Sequence, residues 1–389
     1  MTRIVNAPES MMNTGFTLIA TVLPATFAVI TPMAAKAERK MAMKITAIPL
    51  SRPQLHSRSG LTTRLPDFVE LTKPRVMLLA VFTALVGLMI APVHLDPLVA
   101  SIAILSIAAG AGAAGVLNMW YDANIDAVMT RTARRPIPRG TVSRGEALVF
   151  GSVLACGAVT VLGLVVNVTA AALLAFTIFV YVVVYTVWLK RHTPQNIVIG
   201  GAAGALPPVI GWAAATGDIG LEPLILFLII FLWTPPHFWA LSLNRAEEYG
   251  RAGVPMLPVV VGRAATTRQI LVYSVLLVPI SLLPWALGFA GMIYGTAALV
   301  CGAIFIVLAL RLRRSRETDR RVAYRLFGFS IFYLFVLFAA LLINSGGDRW
   351  SPMRSVPGVP TAAGPVGAEV VPHPARTARI SNSISADEA

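Results

Sequence analysis

The stretch 118-NMWYDANID-126 stands where a long apolar segment, 97–119, runs into a strongly basic loop. Its polar side chains Asn118, Asp122 and Asp126 are four residues apart, so on a helix they lie on one face. Two carboxylates and an amide aligned in this way suit a hard divalent cation such as Mg²⁺, which takes oxygen ligands and often shares them with phosphate. The stretch therefore predicts a helix end with a metal-binding face. The plainer interpretation of the same residues is a solvated helix end.

Basic residues follow this face closely: Arg131, Arg134, Arg135 and Arg139. Carboxylates that hold a metal and guanidiniums that hold an anion together indicate a metal-bridged, phosphorylated substrate. Further along the chain, Lys190 and Arg191 are candidates for the same phosphate-binding role. Taken singly, each of these basic residues is equally well understood as a signal of membrane topology.

The composition is that of an integral membrane protein. The chain has 389 residues, of which 56% are hydrophobic and 13% charged, and its mean hydropathy is +0.74. The formal net charge of +14 fits basic cytoplasmic loops, so no nucleic-acid partner is expected. The two cysteines, Cys156 and Cys301, fall inside apolar runs and support neither a disulfide framework nor a thiolate metal site.

Nine apolar runs are long enough to cross a bilayer as single helices. They cover 76–93, 97–119, 147–165, 168–189, 196–215, 221–243, 270–289, 292–310 and 327–344. Four alternate connections hold every Lys and Arg found between the spans, and the other four hold none. The rule that positive loops stay inside predicts that the basic connections of this multi-pass membrane protein are cytoplasmic.

Three regions are expected. Residues 1–66 form an N-terminal extension that is flexible or signal-like. Its apolar part, 15–35, has three interpretations: a signal segment, an additional span, or sequence upstream of a true start at Met41 or Met43. Residues 67–345 form the transmembrane domain, and residues 346–389, rich in Pro, Gly, Ala and Ser, form a disordered tail.

A second polar cluster follows the sixth span, in the stretch SLNRAEEYG. Asn244 and Glu248 repeat the Asn-x-x-x-acid spacing of the first cluster, four spans later. Parallel internal repeats build many membrane proteins around a central site, so two acidic faces could meet across a cavity and hold a second metal ion. Glu247 is expected to point elsewhere because neighbouring residues do not share a helix face. A solvated charged loop is the alternative.

His237, in the stretch WTPPHFWAL, is the only histidine inside a predicted span. One interpretation is an interior histidine with a hydrogen-bond partner. The other is contact with a porphyrin, including axial ligation of its iron. Pro235 and Pro236 are expected to break the helix just before it.

Several separated blocks of sequence resemble one family. They are LTKPRVMLL, NMWYDANIDAVMTRTARRPIPRG, YTVWLKRHTPQNIVIGGAAGALPPVIGW, TPPHFWALSL and EYGRAGVPMLPVV, spread over about 67–345. Together they resemble the UbiA superfamily of intramembrane prenyltransferases, and the QNIVIGG, PPHFW and AGVPMLP parts resemble its haem-specific branch. The resemblance implies an all-α bundle of nine transmembrane helices with a central cavity open to the cytoplasmic side.

The resemblance also implies an activity. Members of this branch transfer the farnesyl group of farnesyl diphosphate to a vinyl group of haem B, giving haem O with a hydroxyethylfarnesyl chain for terminal oxidases. The implied ligands of Mg²⁺, which are also the implied catalytic residues, are Asn118, Asp122, Asp126, Asn244 and Glu248. The implied substrate-binding residues are Arg131, Arg134, Arg135, Lys190, Arg191, His237 and Tyr249.

The chain departs from the family pattern at two of these places. Glu248 stands where the family usually has Asp, which leaves the ligand set at this position open because Glu reaches further. His192 replaces a common Arg or Lys and weakens the case that this position binds phosphate.

The expected partners are farnesyl diphosphate, haem B and the lipid bilayer, with haem A synthase or oxidase assembly proteins as further candidates. Two other functions stay open. One is a UbiA-type aromatic prenyltransferase that acts on 4-hydroxybenzoate or a quinone precursor. The other is a secondary transporter whose intramembrane acids bind coupling cations, although acids at helix ends, away from the midplane, argue against it.

Overall fold

The computed structural model describes residues 61–316 and 318–345, and within these ranges every regular element is helical. The helices are α1 (Leu61–Leu71), α2 (Pro74–Met89), α3 (Pro97–Val128), α4 (Pro136–Arg139), α5 (Arg144–Val165), α6 (Val168–Phe179), a π-helical segment (Val180–Leu189), α7 (Lys190–His192), α8 (Asn196–Ala205), α9 (Pro207–Thr216), α10 (Leu221–Leu243), α11 (Ala246–Arg251), α12 (Leu257–Val260), α13 (Gly262–Ala286), α14 (Met292–Arg314) and α15 (Arg320–Ser345). The predicted tail and most of the predicted N-terminal extension lie outside the described residues. The last six residues of that extension belong to α1.

By length and composition, the described residues contain 8 helices able to cross a membrane, or 9 if a bent pair counts as one span. The bent pair is Arg64–Leu71 with Pro74–Met89, at an angle of 50°. These helices correspond one to one with the nine predicted spans. The multi-pass, all-helical prediction is therefore confirmed.

The helix ends carry the residues that local chemistry favours. Asp96 caps α3, its carboxylate accepting a hydrogen bond of 2.9 Å from the backbone N–H of Leu98, and Pro97 opens the helix. Ser143 and Glu146 form a capping box at the start of α5. These caps satisfy backbone donors that a helix end leaves unpaired.

Three of the predicted spans are too short at one end. The second span continues to Val128, the seventh begins at Gly262 and the ninth at Arg320. The predictions stopped at charged residues, but a helix keeps its internal hydrogen bonds when it leaves the apolar region. As a result Asp126 lies on α3, where the predicted span ended at 119.

The bundle is irregular at two places. The fourth span winds as a π-helix over Val180–Leu189, and the fifth is divided into α8 and α9 around Leu206. The predicted break at Pro235 and Pro236 is wrong, since α10 continues through both. Proline removes one backbone donor, and a helix buried among others tolerates that loss.

Two buried apolar clusters hold the bundle together. One joins α2, α3, α5, α6 and α9, and the larger one is built mainly by α10, α13, α14 and α15. The first and last spans, α2 and α15, also contact each other.

A close backbone approach lies between α2 and α9. A Cβ on Gly87 would collide with the backbone carbonyl of Pro208, and one on Gly211 with that of Ala84. Small residues at such crossings let membrane helices approach closely.

Gly211→Ala should therefore lower the free energy of unfolding by about 2 kcal/mol, because backbone atoms must move to make room. Thermal unfolding of the purified protein in detergent measures the change. Gly204→Ala is the matched control, since a Cβ at Gly204 meets nothing within 4 Å. Equal melting temperatures for the two variants would contradict the close approach.

Candidate functional site

The face predicted at the end of the second span is present and buried. Asn118, Asp122 and Asp126 lie on α3 with 5%, 0% and 3% of their surface exposed. The Nδ2 atom of Asn118 donates to Oδ2 of Asp122 over 2.8 Å. A solvated helix end is thus excluded, and two carboxylates without solvent need compensating charge.

That charge comes from three separate segments. Lys73 Nζ donates to Oδ1 of Asn118 over 2.7 Å, and Lys190 donates to Oδ2 of Asp122. Arg135 donates to Oδ2 of Asp126 over 2.6 Å. Each polar group of the face therefore has its own cationic neighbour.

Irregular backbone brings these cations to α3. Lys73 occupies the break between α1 and α2 with a left-handed φ of 55°. Lys190 follows the π-helical segment directly, and Thr186 within that segment accepts a hydrogen bond of 3.0 Å from Nδ2 of Asn118. π-Helical turns are often found at functional sites.

One carboxylate oxygen of this face remains available to bind a ligand. Oδ1 of Asp122 is buried and makes no hydrogen bond to the protein, and the guanidinium of Arg191 is 4.0 Å from it. The Arg191 guanidinium lies over the Tyr121 ring, 4.6 Å from its centroid. A buried carboxylate oxygen without a partner fits a bound cation.

The loop arginines differ in their partners. Arg139 forms an ion pair of 2.5 Å with Asp67 of α1, so it has a structural partner. Arg131 and Arg134 are exposed, and no described carboxylate forms an ion pair with either. Both are free to bind an anion.

The second polar cluster is less well arranged than the first to bind a metal ion. Asn244 donates to the backbone carbonyl of Arg320 over 3.1 Å. One buried oxygen of Glu248, Oε2, lies 3.7 Å from Arg245 and makes no hydrogen bond. Glu247 points away, as predicted, and pairs with exposed Arg251 over 2.5 Å.

The electrostatic environment of Arg131 includes groups of both clusters. The residue is exposed overall, yet loss of solvent around its charged group, followed by the charge of Arg135, lowers the pKa of its guanidinium. Tyr249 and Arg245 of the second cluster also act on it electrostatically. Arg131 therefore lies near both clusters.

The acids of the two clusters do not converge on one point. Among residues 61–316 and 318–345, no three His, Cys, Asp or Glu side chains form a group that could hold a metal ion. The structure thus assembles Asn118, Asp122 and Asp126 with their cations, and leaves Glu248 outside that group.

His237 is an interior side chain with a defined partner. It is 9% exposed, and its Nδ1 atom lies 2.6 Å from the hydroxyl of Ser330. The ring stacks with both Trp233 and Phe327, with centroid distances of 4.3 and 4.6 Å. His192, by contrast, is exposed, and its Nδ1 lies 2.5 Å from the carbonyl of Trp188.

Sequence reasoning missed three contacting residues: Lys73, Thr186 and Ser330. Lys73 left a weak signal, because together with Arg75 it places positive charge at the start of the first apolar run. Thr186 and Ser330 left none, since small hydroxyl residues are common inside membrane helices.

Fold and site together define a multi-pass, all-helical membrane protein with a buried acidic helix face enclosed by cations. The model of the UbiA prenyltransferase family matches residues 80–345, which is more than half of the chain. The protein therefore belongs to the UbiA prenyltransferase family.

The similar proteins divide into sequence relatives and fold relatives. The protoheme IX farnesyltransferase of Parvibaculum lavamentivorans is 60% identical over 72% of this chain and 88% of its own length. That of Azorhizobium caulinodans is 63% identical over 72% of this chain and 92% of its own.

Two solved structures share the fold. A structure described for digeranylgeranylglyceryl phosphate synthase has a TM-score of 0.61 at 21% identity and covers 73% of this chain and 99% of its own. A UbiA homologue from Archaeoglobus fulgidus has a TM-score of 0.51 at 14% identity and covers 71% and 99%.

The pairing of Lys190 with Asp122 makes a stability prediction. Lys190→Met should lower the free energy of unfolding by about 3 kcal/mol, because it leaves a fully buried carboxylate without its closest cation. The double variant Lys190→Met/Asp122→Asn should recover much of that loss. Chemical unfolding in detergent measures the free energy of unfolding of both variants.

Arg251→Met is the control for this cycle. It removes an exposed partner of Glu247 and should leave stability unchanged, because exposed ion pairs contribute little. If Lys190→Met is as stable as Arg251→Met, the ion pair does not compensate the buried charge.

Proposed function

We propose that this protein transfers the farnesyl group of farnesyl diphosphate to a vinyl group of haem B, giving haem O with its hydroxyethylfarnesyl chain. Relatives that carry the name protoheme IX farnesyltransferase are about 60% identical to it and aligned over most of their length. The single structural observation that carries the proposal is the buried acidic face of α3 with its ring of cations.

The cations of this site suit a diphosphate. Lys73, Arg135 and Lys190 already approach the acidic face, while Arg131 and Arg134, in the loop that follows α3, form no ion pair with a described carboxylate. Arg presents paired donors to phosphate oxygens and Lys acts as a compact charge. These residues would hold the leaving diphosphate and neutralise the charge that develops as the carbon–oxygen bond breaks.

Magnesium fits the same place. Asp122, with its unpaired Oδ1 atom, Asp126 and Asn118 are the residues that would hold it. A fold relative from Archaeoglobus fulgidus is described bound to GPP and Mg²⁺, which supports this assignment. When bound, the ion would supply Lewis-acid neutralisation of the diphosphate.

The second cluster would complete the site from the opposite side. Glu248 keeps an unpaired oxygen and Tyr249 lies within electrostatic reach of Arg131. We assign Asn244 and Glu248 to the cation that accompanies the diphosphate, because a carboxylate repels the diphosphate itself, and Tyr249 to the substrate. Arg191, next to Asp122, is assigned to the diphosphate end of the substrate.

The surrounding helices would exclude water from the reacting carbon. Tyr181 and Tyr185 lie along the π-helical segment with ring centroids 5.5 Å apart, and aromatic faces attract cations. An allylic cation formed beside them would be attacked by the electron-rich vinyl group of haem, after which water adds to the product cation and loses a proton to the released diphosphate. No enzyme nucleophile is required.

The protein would carry out this reaction in the bacterial inner membrane, with its basic connections in the cytoplasm. Haem A synthase and oxidase assembly proteins are the partners expected to receive the product.

The roles of the acids can be tested directly. Asp122→Asn and Asp126→Asn should each lower the rate of haem O formation about 100-fold or more, since each removes a charge that holds the ion and its substrate. Turnover of purified protein with farnesyl diphosphate and haem B is followed by product mass.

Glu247→Gln, at an exposed acid paired with Arg251, is the matched control and should retain full activity. Removal of Mg²⁺ by a chelator should stop turnover, and added Mg²⁺ should restore it. Full activity of either aspartate variant, or of the chelated enzyme, would refute the metal–diphosphate assignment.

The acceptor is tested by offering haem B and 4-hydroxybenzoate separately with farnesyl diphosphate. Haem B should gain the mass of a farnesyl group plus water, and 4-hydroxybenzoate should not react. Prenylation of 4-hydroxybenzoate without reaction of haem would place the protein among the aromatic prenyltransferases of the same family.

A further inference from the structure

Two short contacts meet at Ser330 on α15. Its hydroxyl oxygen lies 2.6 Å from Nδ1 of His237 and 2.6 Å from the backbone carbonyl of Phe327. Both distances are those of strong hydrogen bonds, so each needs a proton between the two atoms.

Only one assignment supplies both protons. The Phe327 carbonyl has none and the Ser330 hydroxyl has one, which therefore points to the carbonyl. The proton of the other contact must come from His237. A neutral imidazole in this place thus carries its proton on Nδ1 and a lone pair on Nε2.

The ring is also held against rotation. Trp233 and Phe327 both stack on it, at interplanar angles of 18° and 26°. The Trp233 indole N–H donates to the backbone carbonyl of Ser330 over 2.7 Å, so α10 and α15 are joined at the same residue. Ser330 is fully buried.

Nε2 keeps its bonding capacity. It makes no hydrogen bond to the described residues. It is also not fully buried, so it remains accessible. A histidine with one nitrogen fixed by a hydrogen bond and the other free matches the arrangement of metal-ligating histidines.

We propose that Ser330 is a positioning residue that holds His237 in this tautomer, so that Nε2 coordinates the iron of the haem substrate. The inference rests on the proposed function, which supplies haem as the acceptor. Ligation would fix the porphyrin plane relative to α10, and with it the vinyl group that reacts.

The test uses two porphyrins and the purified full chain in detergent. Haem B offers iron, whereas protoporphyrin IX has the same ring without it, so only haem B reports on ligation. Absorption titrations give the affinity for each porphyrin and the position of the Soret band.

His237→Ala and Ser330→Ala should each weaken haem B binding about 10-fold or more, the range seen when the outer partner of a metal ligand is lost, and should shift the Soret band. Affinity for protoporphyrin IX should not change. Ser330→Cys, which keeps the size but offers a weaker acceptor, should fall between Ser330→Ala and the wild type.

Ser274→Ala is the matched control. Ser274 is also fully buried and bonds to a backbone carbonyl in its own helix, over 2.6 Å, but it has no histidine partner in the described residues. It should leave the haem spectrum unchanged.

Two results would overturn the proposal. One is an unchanged haem spectrum and affinity in His237→Ala or Ser330→Ala. The other is an equal loss of affinity for both porphyrins, which would show a packing role. Farnesyl transfer by the wild type is measured in parallel. If transfer persists and ligation is absent, the proposed function stands and this inference fails. If the wild type does not farnesylate haem, the proposed function itself fails.

Discussion

The burial of two carboxylates in a membrane helix is the constraint on which the rest of the site depends. An acid such as Asp122, with no exposed surface, is tolerated only when a cation or a proton compensates it. The cations come from the break before α2, from the loop after α3 and from the end of the π-helical segment. The bundle brings these three places together, and two of them, the break at Lys73 and the π-helical segment, have irregular backbone.

The same arrangement makes the site suited to an anion. Three cations hold the polar face, and two further arginines of the adjoining loop have no carboxylate partner among the described residues. Asp122 still keeps one unpaired oxygen. The site therefore has room for both a cation and a diphosphate, each supported by groups of the opposite charge.

The two polar centres lie on different helices. The acidic face belongs to α3, with contacts from the π-helical segment, whereas His237 belongs to α10 and takes its partner from α15. In the proposed reaction the first centre holds the leaving group and the second holds the acceptor.

The sequence alone determined the class of the protein, because apolar runs of bilayer length joined by one-sided basic loops are typical of multi-pass membrane proteins. It also determined the face of Asn118, Asp122 and Asp126, since a spacing of four residues is a property of one helix. Helix ends were less predictable: charged residues marked the membrane boundary, but the helices continued past it.

Only the tertiary structure decided the partners of these residues. Lys73 and Lys190 lie 45 and 68 positions from Asn118 and Asp122 in the chain, and the sequence did not predict which atoms they contact. Likewise, Ser330 pairs with a histidine 93 positions away. Helical periodicity fixes which residues share a face. Contacts between helices depend instead on how the whole bundle packs, and no short stretch of sequence encodes that packing.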